Sequence, residues 1–207
     1  MTASKEAQGR PTTACSGRRY APPLKPSVRH ERRASRQGMS IEAAGVLVAV
    51  LVGAGATLLL DLWSLFLRRA FTVPFPNFCL LGRWLLHMPE GKFAHASIAS
   101  APPKRSECIV GWIAHYAIGV AFALVFVALA PAGWLAQPTL FPALFFGLGT
   151  VLIPYLVMQP AYGLGVAASR TPNPTIARLK SLMSHGVFGL GLYASAVAAS
   201  QVLSIHA

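Results

Sequence analysis

Residues 108–169 read CIVGWIAHYAIGVAFALVFVALAPAGWLAQPTLFPALFFGLGTVLIPYLVMQPAYGLGVAAS, without a single Asp, Glu, Lys or Arg. A soluble domain of 207 residues has too small a core to wrap such a stretch. A bilayer has room for it. Its hydrocarbon core is about 30 Å thick and takes about 20 apolar residues per helix at a rise of about 1.5 Å each. Residues 108–169 supply two such helices, separated by the uncharged turn at Pro131, Gly133 and Pro138. Ala43 to Leu60 and Ser181 to Ala207 are equally free of charge and supply one helix each. The chain therefore reads as an all-α, polytopic membrane protein with four transmembrane helices. The expected spans cover residues 41–67, 109–130, 139–158 and 182–203.

The composition agrees. Hydrophobic residues make up 54% and charged residues 12%, against about 25% charged in an ordinary soluble domain. The net charge of +12 raises the question of nucleic acid, but half of the eighteen Lys and Arg precede Met39 and the rest lie in loops. Without an aromatic-interleaved basic surface, no nucleic-acid partner is expected, and the basic residues are topology signals. The bilayer itself is the first partner, with a homo-oligomer or another membrane protein open beside it. Cys15, Cys79 and Cys108 show no metal-ligand spacing, so a structural role is the most they are expected to have.

Residues 1–38 are rich in Arg, Ser, Pro and Ala, lack periodicity, and are expected to form a disordered basic tail. Arg32-Arg33 resembles a twin-arginine signal only poorly, because the apolar run that follows is too long. Met39 is the expected true start, with residues 39–207 forming the transmembrane domain. After the first span, Pro74 and Pro76 open a loop in which Asn77 caps a short helix over 78–88, too short to span and placed in the interface. Pro154 is expected to kink the third helix and Gln159-Pro160 to stop it, and Asn173-Pro174 to start the fourth.

Four spans put the first and third loops on one side, with nine basic residues including Arg68, Arg83, Lys104, Arg170 and Arg178. The short middle turn and the C-terminus carry none. Counted from Met39, that makes the loop-rich face cytoplasmic; with the tail included the count is nine against nine and favours neither side.

Two regularities stand out. Gly53-x-Gly55 in the first helix matches Gly147-x-Gly149 in the third, and Gly111-x3-His115-x3-Gly119 in the second matches Ser181-x3-His185-x3-Gly189 in the fourth. Residues four apart share a helical face, so two helical hairpins in parallel orientation, forming a repeat, are expected. The polar residues Asp61, His115, His185, Glu107 and Gln159 gather near the loop-rich ends of the spans, the first three on the order of 5–10 Å inside the boundary. Ionisable groups at such depth face the bundle interior and are paired. They are the candidate polar cluster.

Each has a plainer reading: Asp61 as an ion-pair partner of Arg68, Arg83 or a histidine, and His115 and His185 as interhelical hydrogen-bonders. Arg83 and Arg170 are interface anchors, or contacts for a headgroup or another anion. Trp63, Trp84 and Trp112 read as an aromatic belt on the loop-rich side, Trp134 on the other.

The motifs Asp61-Leu-Trp, Leu81-Gly-Arg-Trp84, Gly111-Trp-Ile-Ala-His-Tyr-Ala-Ile-Gly119, Met158-Gln-Pro-Ala161, Ala168-Ser-Arg-Thr-Pro-Asn-Pro174 and Ser184-His-Gly-Val-Phe-Gly-Leu-Gly-Leu-Tyr193 occur in this order. Together they resemble a family of small bacterial inner-membrane proteins known only as a domain of unknown function, over about Ile41 to Leu203. The resemblance implies class and location and brings no activity. No Ser-His-Asp order, Walker loop or H-E-x-x-H is present. The chain is thus expected to be a binding or transport protein for a small solute, ion or lipid headgroup, with a polar pocket on the cytoplasmic face, and not an enzyme. No cofactor is expected on that reading. The alternatives are a metal or haem redox protein ligated by His115 and His185, and a structural subunit of a membrane complex.

Overall fold

The computed structural model describes residues 28–205, with side chains for 43–202. Contacts divide the chain between Gly38 and Met39, and the architecture below is that of the second unit. Four helices in it are long and apolar enough to cross a membrane: Ala43–Phe71 (the membrane part of α1, Val28–Phe71), α3 (Glu107–Leu129), α4 (Leu140–Ala161) and α5 (Pro174–Ile205, apolar as far as Val202). A short α2 (Phe78–His87) follows the first span. No strand occurs among the described residues. The protein is a multi-pass membrane protein.

The expected disordered tail lies largely outside the described residues. Helix α1 is described from Val28. At the other end α1 runs on to Phe71, with Arg68 and Arg69 in its last turn, where the dipole favours cations.

Asn77 caps α2 as expected, accepting a hydrogen bond from the Cys79 amide at 3.1 Å. Helix α4 opens at Thr150 and passes through a π-helical turn at Pro154–Met158, the kink expected of this proline. Gln159-Pro160 does not stop the helix. The Tyr162 amide still donates to the Met158 carbonyl at 2.9 Å, closing the turn around the proline, so α4 reaches Ala161.

Small residues set the packing. A Cβ on Gly53 would stand 2.7 Å from Val120 Cα and 2.8 Å from Ala123 Cβ, so α1 touches the backbone of α3. A Cβ on Gly147 would fall on the backbone of Gly189, joining α4 to α5, and one on Gly191 would stand 2.9 Å from Ala56 Cα, joining α5 to α1. Val52, Ala56, Ala123, Phe126, Ala143, Phe188 and Leu192 fill the centre. Large residues such as Ile113, Leu129, Phe141 and Phe145 point outward, each more than 60% exposed. Water would not tolerate such a surface; hydrocarbon does.

Trp134, read from sequence as part of an aromatic belt, is instead 5% exposed. It packs edge-on against Phe126 at 4.6 Å between ring centroids and donates its indole N–H to the Thr139 carbonyl at 3.2 Å. The chain reverses there without charge, so the bulky ring plugs the bundle end from inside.

Helix α2 lies across the start of α3, where Gly82 meets Gly111: a Cβ on Gly111 would fall on the Phe78 carbonyl and one on Gly82 on the Glu107 carbonyl. This crossing brings Cys79 to Cys108, and the two form a disulfide. The rest of the first loop is tied to the third. His95 N–H donates to the Ala161 carbonyl at 2.8 Å and Ile98 N–H to the Tyr162 carbonyl at 3.2 Å. The His95 ring stands 5.0 Å from that of His87, and both its nitrogens are buried without a protein partner.

Two outcomes follow. Gly111→Val is expected to lower the detergent melting temperature by the equivalent of about 1–3 kcal/mol through overpacking. Gly149→Ala, in open space, is expected to leave it nearly unchanged, and equal melting of the two variants would refute the crossing. Second, burial, reinforced by His87 and Lys92, holds the His95 pKa below its ordinary value. Folding thus favours the neutral ring, and this contribution is intact above about pH 6.5 and lost as pH falls below it. Hydrogen exchange across residues 88–101, corrected for intrinsic rates, is expected to be faster at pH 5 than at pH 7.5. His95→Asn is expected to flatten the difference, and equal protection at both pH values would refute the reading.

Candidate functional site

Helix α1 carries Gly53, Thr57 and Asp61 at intervals of four, one above the other on a single face. Helix α3 carries Gly111, His115 and Gly119 in the same way. Gly119 has no room for a Cβ beside Thr57. Thr57 is itself 1% exposed and hands its hydroxyl proton back to the Gly53 carbonyl at 2.8 Å. One turn further along both helices, this close crossing sets Asp61 opposite His115.

The Asp61 carboxylate accepts from two donors. His115 Nε2 lies 3.0 Å from Oδ1, and Tyr116 Oη donates to Oδ2 at 3.0 Å. Both Asp61 and His115 are 12% exposed at the side chain. A carboxylate accepts only, so the imidazole presents N–H at Nε2. Phe78 of α2 stacks on the His115 ring at 3.9 Å between centroids, and Trp112 meets it edge-on at 6.0 Å. Beside the pair lies a shallow, open surface hollow bounded by Asp61, Leu62, Leu65, Arg68, Phe75 and Trp112. Its wall is apolar apart from the carboxylate and Arg68. Leu62 and Trp112, 52% and 40% exposed, stand on its outer side, so it opens towards the region that lipid would occupy.

The other expected members of the cluster take different partners. Glu107 is bound by Arg83, with Nη2 to Oε1 at 2.7 Å and Nε to Oε2 at 2.8 Å. The Lys104 amide also donates to Glu107 at 2.8 Å. Arg83 Nη1 reaches the carbonyls of Ala99 and Ala101 at 3.1 and 3.0 Å. The bidentate bond to Glu107 holds the guanidinium pKa above its ordinary value. Arg83, one of the two expected headgroup contacts, therefore works as an internal clamp between α2, α3 and the first loop. Arg170, the other, is exposed on the third loop.

His185 belongs to α4 and α5. Its Nδ1 lies 2.7 Å from Thr150 Oγ1, whose proton goes to the Gly147 carbonyl at 2.6 Å, so the imidazole is the donor. Gln159 donates to Ser181 Oγ at 3.4 Å. The structure thus brings Asp61 and His115 together and gives Glu107, Gln159 and His185 to other groups. A centre ligated by both His115 and His185 finds each ring already engaged on a different helix pair.

Sequence reasoning missed Tyr116 and Phe78. Tyr116 is adjacent to His115, about 100° round the helix, and adjacency ordinarily separates side chains. Here the two straddle one carboxylate. Phe78 depends on where α2 crosses α3, and no periodicity encodes that crossing.

Comparisons with curated proteins and with solved structures each gave no match. Residues 50–199, which hold all five members of the candidate cluster, match the family described as Protein of unknown function (DUF2938), and the chain belongs to that family.

Proposed function

We propose that the protein binds, and moves within the membrane, an amphiphile whose polar headgroup is received at the Asp61–His115 site, and that it resides in a bacterial inner membrane. The observation that carries this reading is a carboxylate on a membrane-type helix, held from behind by His115 and Tyr116, beside a shallow hollow open sideways between apolar residues. A headgroup would meet Asp61 and Arg68, while its chain would lie along Leu62, Leu65, Phe75 and Trp112. The hollow is shallow and open to the side, a shape that suits a headgroup whose chain stays in the lipid. A carboxylate in hydrocarbon costs several kcal/mol unless partnered. The two donors behind Asp61 meet that cost in part and leave its remaining lone pairs for a ligand.

Asp61→Asn keeps the shape and removes the charge. Loss of a hydrogen bond to a charged group costs about 1.5–3 kcal/mol, or about 10- to 100-fold in affinity. Quenching of Trp112 fluorescence by spin-labelled lipid, measured in a background lacking the other tryptophans, is expected to need correspondingly more lipid in Asp61→Asn and in Arg68→Ala. Unchanged quenching in both, with the variants folded and at normal yield, would reject the site.

A further inference from the structure

The Cys79–Cys108 bond bears on something the charge distribution leaves open, namely which compartment the loop-rich face meets. Over the whole chain the basic residues number nine in the loops and nine before Met39, and a tie orients nothing. The disulfide is chemistry of a different kind. Cytosolic thiol systems keep such pairs reduced, whereas the extracytoplasmic side leaves them oxidised. We infer that the loop-rich face, with the mouth of the Asp61–His115 site, stands on the oxidising side of the membrane, the periplasm if the inner-membrane location proposed above holds. That reverses the orientation read from the residues after Met39 alone.

The surroundings of the two sulfurs support this. Cys108 is exposed and Cys79 half-buried, so the pair lies at the protein surface, at the loop end of α3, and is not sealed in the core. An exposed bond of this sort survives only where no reductant acts on it. The pair does not depend on the bond to stay together. Gly82 seated on Gly111 and the bidentate Arg83–Glu107 bridge already hold α2 against the start of α3. The sulfurs are therefore juxtaposed before oxidation, and compartment decides their state.

The step balances as thiol–disulfide exchange with a protein disulfide of the oxidising compartment. One thiolate attacks that disulfide and forms a mixed disulfide, and the second thiolate displaces the oxidant's sulfur. The S–S bond forms as two electrons pass to the oxidant, which leaves as a dithiol carrying the two protons.

The test uses the full chain in a bacterial host, with Cys15→Ser as background. Cells are quenched in acid and labelled with a maleimide that adds visible mass. Cys79 and Cys108 are expected to resist labelling until a reductant is added, and then to take two adducts per chain. In a host lacking its extracytoplasmic thiol oxidase both are expected to label at once. A reporter fused after Ala207, on the face opposite the loops, is expected to be active in its cytoplasmic form. Free thiols in the unreduced sample overturn the inference, as does a reporter at Ala207 active only outside the cytoplasm. None of these readouts depends on a bound amphiphile, so the lipid-quenching result and this one can fail separately.

Discussion

Lipid tails are as apolar as leucine, so in a bilayer no hydrophobic force draws one helix to another, and helices associate where their surfaces fit. In this protein the fit is made by small residues at backbone crossings. Gly53 rests on the backbone of α3, Gly147 on that of α5, and Gly82 on that of the first turn of α3. A side chain larger than hydrogen at these points meets main-chain atoms, which cannot rotate away. The crossings therefore fix the register of the helix pairs they join, and register decides which polar groups can meet.

Asp61 illustrates the dependence. Its partner is determined by the crossing eight residues earlier, where Gly53 and Thr57 meet Val120, Gly119 and Ala123. A shift by one residue would turn the carboxylate about 100° away from His115 and Tyr116 and towards lipid. The same holds for Glu107, which meets Arg83 because Gly82 and Gly111 interlock one residue from the arginine and four from the glutamate. Polar recognition in this bundle is a consequence of apolar fit, and the cost of leaving a carboxylate in hydrocarbon then penalises every other register.

This division explains what the sequence disclosed. Spans are written in charge-free runs, caps in Asn77, and close contacts in small residues recurring on one helix face, all local signals that read directly. The pairing of Asp61 with a histidine was within reach, because depth can be counted along a helix. The choice between His115 and His185 was not, since it depends on which neighbour α1 presents to which face. The disulfide was equally hidden: Cys79 and Cys108 are 29 residues apart and become neighbours only through the α2–α3 crossing. Trp134 misled because a tryptophan at a bundle end looks alike in sequence whether it faces headgroups or fills the core.

Both hairpins place glycines at a close helix contact, but their chemistry differs. Gly53 against the Gly119 turn has its counterpart in Gly147 against Gly189, at the same offsets from His115 and His185. Eight residues beyond Gly53 stands Asp61; eight beyond Gly147 stands Tyr155, whose hydroxyl donates to the Arg178 carbonyl at 2.6 Å. His115 accordingly meets a carboxylate, and His185 only the threonine hydroxyl at 2.7 Å. Helix α2, with Phe78 laid on the His115 ring, follows the first hairpin's opening span and has no counterpart after α4, where the chain makes the short turns of residues 162–173. One hairpin holds an acid–imidazole pair beside a shallow hollow and the other a hydroxyl–imidazole pair within a helix contact. Glycine contacts in both hairpins, with a different residue two turns away, confine the acid–imidazole pair to one hairpin, and there the search for a ligand belongs.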